Sequence, residues 1–154
     1  MIDKLRTRLA SEEGFTLIEL LVVMIILGIL VAIAVPAYLS FTGKAKTSAA
    51  ESNVRSAIPA AEAWYQDTAG GNGTYAGLNR AALVQEAPGI GQNVKAGAFN
   101  GSGTNSAYCI EDTEPGGTPW HYIGGDPGST IPSSETAVVK SGTCASVVTG
   151  ITVS

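Results

Sequence analysis

Residues 12–41 read EEGFTLIELLVVMIILGILVAIAVPAYLSF. From Leu20 to Val35 there is no polar side chain. A helix needs roughly 20 apolar residues to cross a bilayer, and Phe15 to Phe41 reaches that length. The segment before it, MIDKLRTRLASEEG, is polar and carries Lys4, Arg6 and Arg8. Basic residues on that side and a charge-poor far side orient residues 1–14 toward the cytoplasm and the C-terminal part outward. An ordinary secretory signal would place small residues after the run and lose it on cleavage. A passive anchor would keep the run, with no reason to carry a carboxylate inside it. Glu19 separates these readings: a charge within an apolar helix is costly unless paired, so it marks function.

Glu12-Glu13-Gly14-Phe15-Thr16-Leu17-Ile18-Glu19-Leu20 resembles the cleavage and methylation motif of type IV prepilins and pseudopilins. The resemblance covers residues 1–40 or so. It implies that a prepilin peptidase cuts after Gly14 and then N-methylates Phe15. It also implies that Glu19 pairs with the Phe15 amine of a neighbouring subunit during assembly. The physics agrees: a cut at Gly14 leaves a free amine at the tip of an apolar helix, with a carboxylate one turn inside. Neither charge is tolerable alone in lipid, whereas the two together are. A negative group is also favoured near a helix N-terminus.

Beyond the apolar run, Ala50, Val54, Ala57, Ile58, Ala61, Trp64 and Tyr65 recur at spacings of three and four, with Glu51, Arg55, Glu62 and Gln66 opposite. That pattern predicts that the helix continues to about Asp67 with one face on a core. Gly28, Pro36 and Pro59 are breakers that should kink it or loosen a turn. Gly28–Pro36 is a candidate for local melting, which the resemblance also implies; alternatively, Gly28 and Ala32 allow close helix contact. Three segments follow: a leader 1–14, a helix 15–67 with 15–41 as its membrane or filament-core part, and a C-terminal globular domain 68–154.

Gly70-Gly71-Asn72-Gly73 should end the helix, and 79–86 reads as a short helix with Asn79 as N-cap. From Pro88 to Ser106 the chain is rich in glycine and asparagine. Tyr108–Glu111, Trp120–Ile123, Ala137–Lys140 and Ser146–Val153 read as strands. Turns are placed at 114–117 and 124–128. The expected fold class is α+β: a long N-terminal α-helix, apolar then amphipathic, packed on a small antiparallel β-sheet, pilin-like. Cys109 and Cys144 are the two cysteines of the chain. In an extracytoplasmic domain they suggest a disulfide, which the resemblance also favours; two buried thiols are the alternative. Closing such a loop of about 35 residues stabilises by roughly 3–4 kcal/mol.

The net charge of −4 gives no basic field for nucleic acid, and no specific nucleic-acid site is evident. The sequence has no phosphate-binding GxxxxGK[ST], so a separate ATPase must power any assembly. No Cys/His metal cluster stands out, and no cofactor is implied. Glu111, Asp112, Glu114 and Asp126 could bind calcium but lack the ligand spacing of a known loop, so a solvated, turn-rich face is preferred. His121 lies between Trp120 and Tyr122 in a strand and reads as a packed or surface residue. Asn72-Gly73-Thr74 and Asn100-Gly101-Ser102 match glycosylation acceptors but are also turn pairs, and the turn reading is taken. The sequence therefore leads to a non-enzymatic structural subunit of a type IV pilus. Its partners are copies of itself in a helical filament, the prepilin peptidase, an assembly machine and, before assembly, the membrane. A type II secretion pseudopilin is the alternative, and a membrane-anchored enzyme or binding domain is the competitor of a different class.

Overall fold

The computed structural model describes residues 14–128 and 131–154. The leader residues 1–13, with Glu12 and Glu13, lie outside the described residues. Helix α1 is Leu17–Gln66, α2 is Arg80–Glu86, and strands β1 Val94–Phe99, β2 Ala107–Asp112 and β3 Trp120–Gly125 follow, then β4 Lys140–Ser141 and α3 Cys144–Val147. The chain divides into two compact units that meet between Ser40 and Phe41.

In the first unit the helix carries its apolar side chains uncovered. Ile18 to Val35 includes Leu20, Ile25, Leu30 and Ile33, each about half exposed or more. By length and composition the helix could cross a membrane, a property that cleaved signal sequences share. Gly28, Pro36 and Pro59 do not end it, for α1 runs unbroken through all three.

The second unit is an antiparallel sheet of order β1-β2-β3-β4 with the amphipathic part of α1 on one face. Ala50, Val54, Ala57, Ala60 and Ala61 are the buried helix residues. Their small side chains let the helix backbone lie close to the sheet. Val54, Ala57 and Ala61 join Leu83, Val94, Ala96, Tyr108 and Ile110 in the larger core. Alternation along β2 sends Cys109 to the opposite face, where Ile123, Ile131, Cys144 and Val148 form a smaller core. Every residue of β2 is buried, as befits the strand covered on both faces.

The helix ends as its glycines dictate. Gly71 donates its N–H to the Trp64 carbonyl and Gly73 to the Tyr65 carbonyl, with Asn72 and Gly73 at positive φ. Asn79 caps α2, its side chain accepting from the Ala82 N–H at 3.0 Å. The 114–117 turn grips the helix: Lys46 Nζ donates to the Pro115 carbonyl at 2.7 Å and the Thr118 N–H to Thr47 Oγ1 at 3.1 Å. A side chain at Gly117 would press on the backbone of Lys46 and Thr47.

Three strand assignments need correction. Residues 94–99 form β1 inside the stretch read as loop. Gly97 is needed there, because a Cβ would collide with the Thr152 carbonyl. The expected strand Ala137–Lys140 shrinks to Lys140–Ser141, since Ala137 adopts φ 58° and breaks the extended path. The expected strand Ser146–Val153 is instead α3 followed by irregular chain, with Gly150 at φ 75°. Past that glycine, Ser154 exchanges backbone hydrogen bonds with Ala96 at 3.1 and 3.4 Å and so covers the outer edge of β1. The turn read at 124–128 begins two residues late, because Gly124 and Gly125 complete β3. Glycine at 124 is what lets the Tyr108 ring lie across the strand.

Candidate processing and assembly site

The start of α1 is built by four residues in sequence. Leu17 is the first helical residue, and the Thr16 carbonyl accepts the first intrahelical bond, from the Leu20 N–H at 3.3 Å. Thr16 is thereby the N-cap and Glu19 sits at the third helical position. The Glu19 carboxylate turns back on the cap. Its Oε2 accepts from the Thr16 backbone N–H at 2.9 Å and from the Thr16 hydroxyl at 2.7 Å. The same hydroxyl accepts from the Glu19 N–H at 3.3 Å. This is a capping box, in which cap and third residue satisfy each other's orphan groups. Its signal, Thr-x-x-Glu at 16–19, is present in the sequence. Gly14 and Phe15 precede the helix in exposed, non-helical chain. A peptide bond there is open to a protease, whereas a bond inside the hydrogen-bonded helix is not.

Cys109 and Cys144 are bonded, S–S 2.10 Å, joining β2 to α3 across the smaller core. The four acidic residues weighed as calcium ligands are not brought together, and among the described residues no group of three or more His, Cys, Asp or Glu side chains is placed to hold a metal. Each of three has other work. Glu111 accepts the Cys144 N–H at 2.7 Å, Asp112 accepts from Asn53 Nδ2 at 2.8 Å, and Asp126 accepts from the Ser102 hydroxyl at 2.8 Å. Burial pushes the Asp112 carboxyl above its ordinary range, with Glu114 adding to the rise and the Asn53 bond opposing it. His121 is buried, with Nε2 3.7 Å from a Glu135 oxygen. Lys140 bonds the other Glu135 oxygen at 2.8 Å and holds that carboxyl below its usual range.

Sequence reasoning also missed the tie between helix and sheet at Glu62. Its two oxygens accept from the hydroxyls of Tyr75, 3.1 Å, and Tyr108, 2.7 Å. Burial first, and Glu62 second, through its charge at Tyr75 and its hydrogen bond at Tyr108, push both phenols up. Rings of Tyr65, Tyr75, Tyr108 and Tyr122 stand in succession with centroids 4.9, 4.5 and 6.0 Å apart.

The segment that holds this helix start is matched by a protein-family model, and relatives match over longer stretches. Residues 9–35 match the family model described as the prokaryotic N-terminal methylation motif. The type IV major fimbrial protein FimA of Dichelobacter nodosus is 34% identical over 103 residues, 66% of this chain and 66% of that protein. The type II secretion system core protein G of Pseudomonas aeruginosa is 32% identical over 113 residues, 73% of this chain and 74% of that protein. The type IV major pilin protein PilA of Myxococcus xanthus is 41% identical over 56 residues, covering 36% of this chain and 26% of that protein. No solved structure matches significantly.

Proposed function

Because the chain belongs to the family of type IV pilins and type II secretion pseudopilins, we propose that it is a pilus subunit, stored in the membrane, cut after Gly14, N-methylated at Phe15 and polymerised through its apolar helix. The observation that carries this is Glu19. It stands at the third position of a helix whose next residues, Leu20 to Val35, are apolar and uncovered. Its capping bonds occupy only Oε2, and a carboxylate at the head of so apolar a helix is costly without a counter-charge, which an amine would supply. Removal of residues 1–14 frees that amine at Phe15, and in a filament the Phe15 amine of one copy meets Glu19 of the next. Residues 15–67 are the assembly helix and residues 68–154 the surface domain. A peptidase, a separate ATPase and an assembly machine are the implied partners, and the cell surface is the destination.

The second reading, a pseudopilin of type II secretion, draws on the longer match to core protein G. The disulfide Cys109–Cys144 and the dispersal of the acidic residues into separate bonds favour the pilus. Mass spectrometry of filaments sheared from cells tests the proposal. The expected result is abundant chain beginning at N-methylated Phe15. Intact Met1 in those fibres would refute the processing step, and fibres present only on overexpression would turn the assignment to the secretion system.

A further inference from the structure

The carboxylate of Glu19 is not waiting unpaired. Among the described residues both of its hydrogen bonds come from Thr16, and both fall on Oε2. We propose that Thr16 is a positioning residue for assembly, whose hydroxyl holds Glu19 at the helix tip before any amine is available. This rests on the assembly role given to Glu19 above.

Before cleavage, the Phe15 nitrogen is an amide and cannot neutralise a carboxylate. Glu19 nevertheless lies in a helix of uncovered apolar side chains, where an ion without partners is costly. The hydroxyl of Thr16 donates to Oε2 and takes the Glu19 N–H in return, which uses its one donor and one of its lone pairs. Donors to an ionised oxygen make the stronger class of hydrogen bond, so the hydroxyl fixes the carboxylate as well as the backbone. The box also folds the carboxylate back toward the residue adjoining Phe15, whose nitrogen becomes an ammonium when Gly14 leaves. The second carboxylate oxygen is the one that a neighbour's ammonium binds, while Oε2 stays with Thr16. Without the hydroxyl, Glu19 has more rotamers to lose before it can pair, and fewer chains are ready to join a filament at a given moment.

Two roles for Thr16 must be told apart, capping the helix and holding the carboxylate. Glycine is a tolerated N-cap without a hydroxyl, and valine matches threonine in shape without one. The full precursor is expressed with its peptidase and assembly machinery as Thr16→Ser, Thr16→Val, Thr16→Gly and Glu19→Ala. Cleavage and methylation are read by the mass of the membrane-bound chain, and assembly by the share of cleaved chain in sheared filaments. The expected result is that Ser assembles like the native chain. Val and Gly are expected to be cleaved and methylated normally, with filament yield falling about tenfold, the worth of one hydrogen bond to a charged group. Full assembly by Gly and Val beside a failed Glu19→Ala would overturn this inference alone, leaving Thr16 a mere cap. Loss of cleavage in Val and Gly would also overturn it, placing Thr16 at the peptidase step. Normal assembly of Glu19→Ala would remove the charge-pairing reading and this inference together.

Discussion

One helix, α1, has two halves with the same backbone and opposite circumstances. From Leu17 to Ser40 it shows leucine, isoleucine and valine on every side and buries none of them within the chain. From Phe41 to Gln66 it is poorer in large apolar residues and yet supplies Ala50, Val54, Ala57, Ala60 and Ala61 to a core. Hydrophobicity and burial are thus separate properties of a helix. A stripe on one face specifies a packing partner inside the chain; an apolar surface all round specifies an apolar medium outside it. At about 1.5–3 kcal/mol for each large side chain covered, the first half holds a large store of association energy that the chain alone leaves unused.

Removing that first half makes the sharpest test of the contrast. A chain beginning at Phe41 is expected to be soluble without detergent and to melt cooperatively, while the full chain partitions with membranes. Sedimentation and thermal melts read both properties, and a truncated chain that fails to fold would show that the halves depend on each other.

A matched pair of substitutions probes the same contrast more finely. Ala57→Leu forces extra methylenes between helix and sheet and should cost about 1–3 kcal/mol in a denaturant titration of the globular unit. Ala32→Leu, in the uncovered half, should leave that unit's stability unchanged. Equal effects from the two would erase the distinction.

The smallest expected effect comes from Asp112, which ties the sheet to the amphipathic half through Asn53. Its carboxyl is raised by burial in the folded chain, so folding binds a proton more readily than the unfolded state does. This group's contribution is most favourable below its unfolded value and is lost as pH rises through its folded value. Asp112→Asn is therefore expected to be slightly more stable than the native chain near neutrality. The advantage should narrow as pH falls from about 7 toward about 4, followed by circular-dichroism melts. An advantage that stays constant or widens on acidification would show that Asp112 is not titrating in a buried site.

How far the sequence foretold these regions follows the range of the contacts. The long helix, the Asn79 cap and the strands at 107–112 and 120–125 rest on local pattern, and local pattern was enough. Strand β1 was illegible because Val94-Lys95-Ala96-Gly97-Ala98-Phe99 has little β-branched character and is held by β2 and by residues near 152–154. The run Ser146–Val153 misled in the other direction. Its valines and threonines favour a strand, but the bond of Cys144 to Cys109 and the turn at Gly150 take the chain elsewhere. At the candidate site, Gly14, Phe15 and Glu19 could be named from the motif. The partner of Glu19 in the isolated chain could not, until the helix start put Thr16 within hydrogen-bond reach.

The pairing of Ser154 with Ala96 bears on solubility and polymer growth. A bare sheet edge is a template on which identical chains add strand to strand, the route by which amyloid forms. Here one margin is occupied by the chain's own last described residue, and at the other β4 is only Lys140 and Ser141. For a subunit proposed to polymerise through one element, a second way to do it would be a liability, and blunting both margins of the sheet would leave the helix as the growing contact.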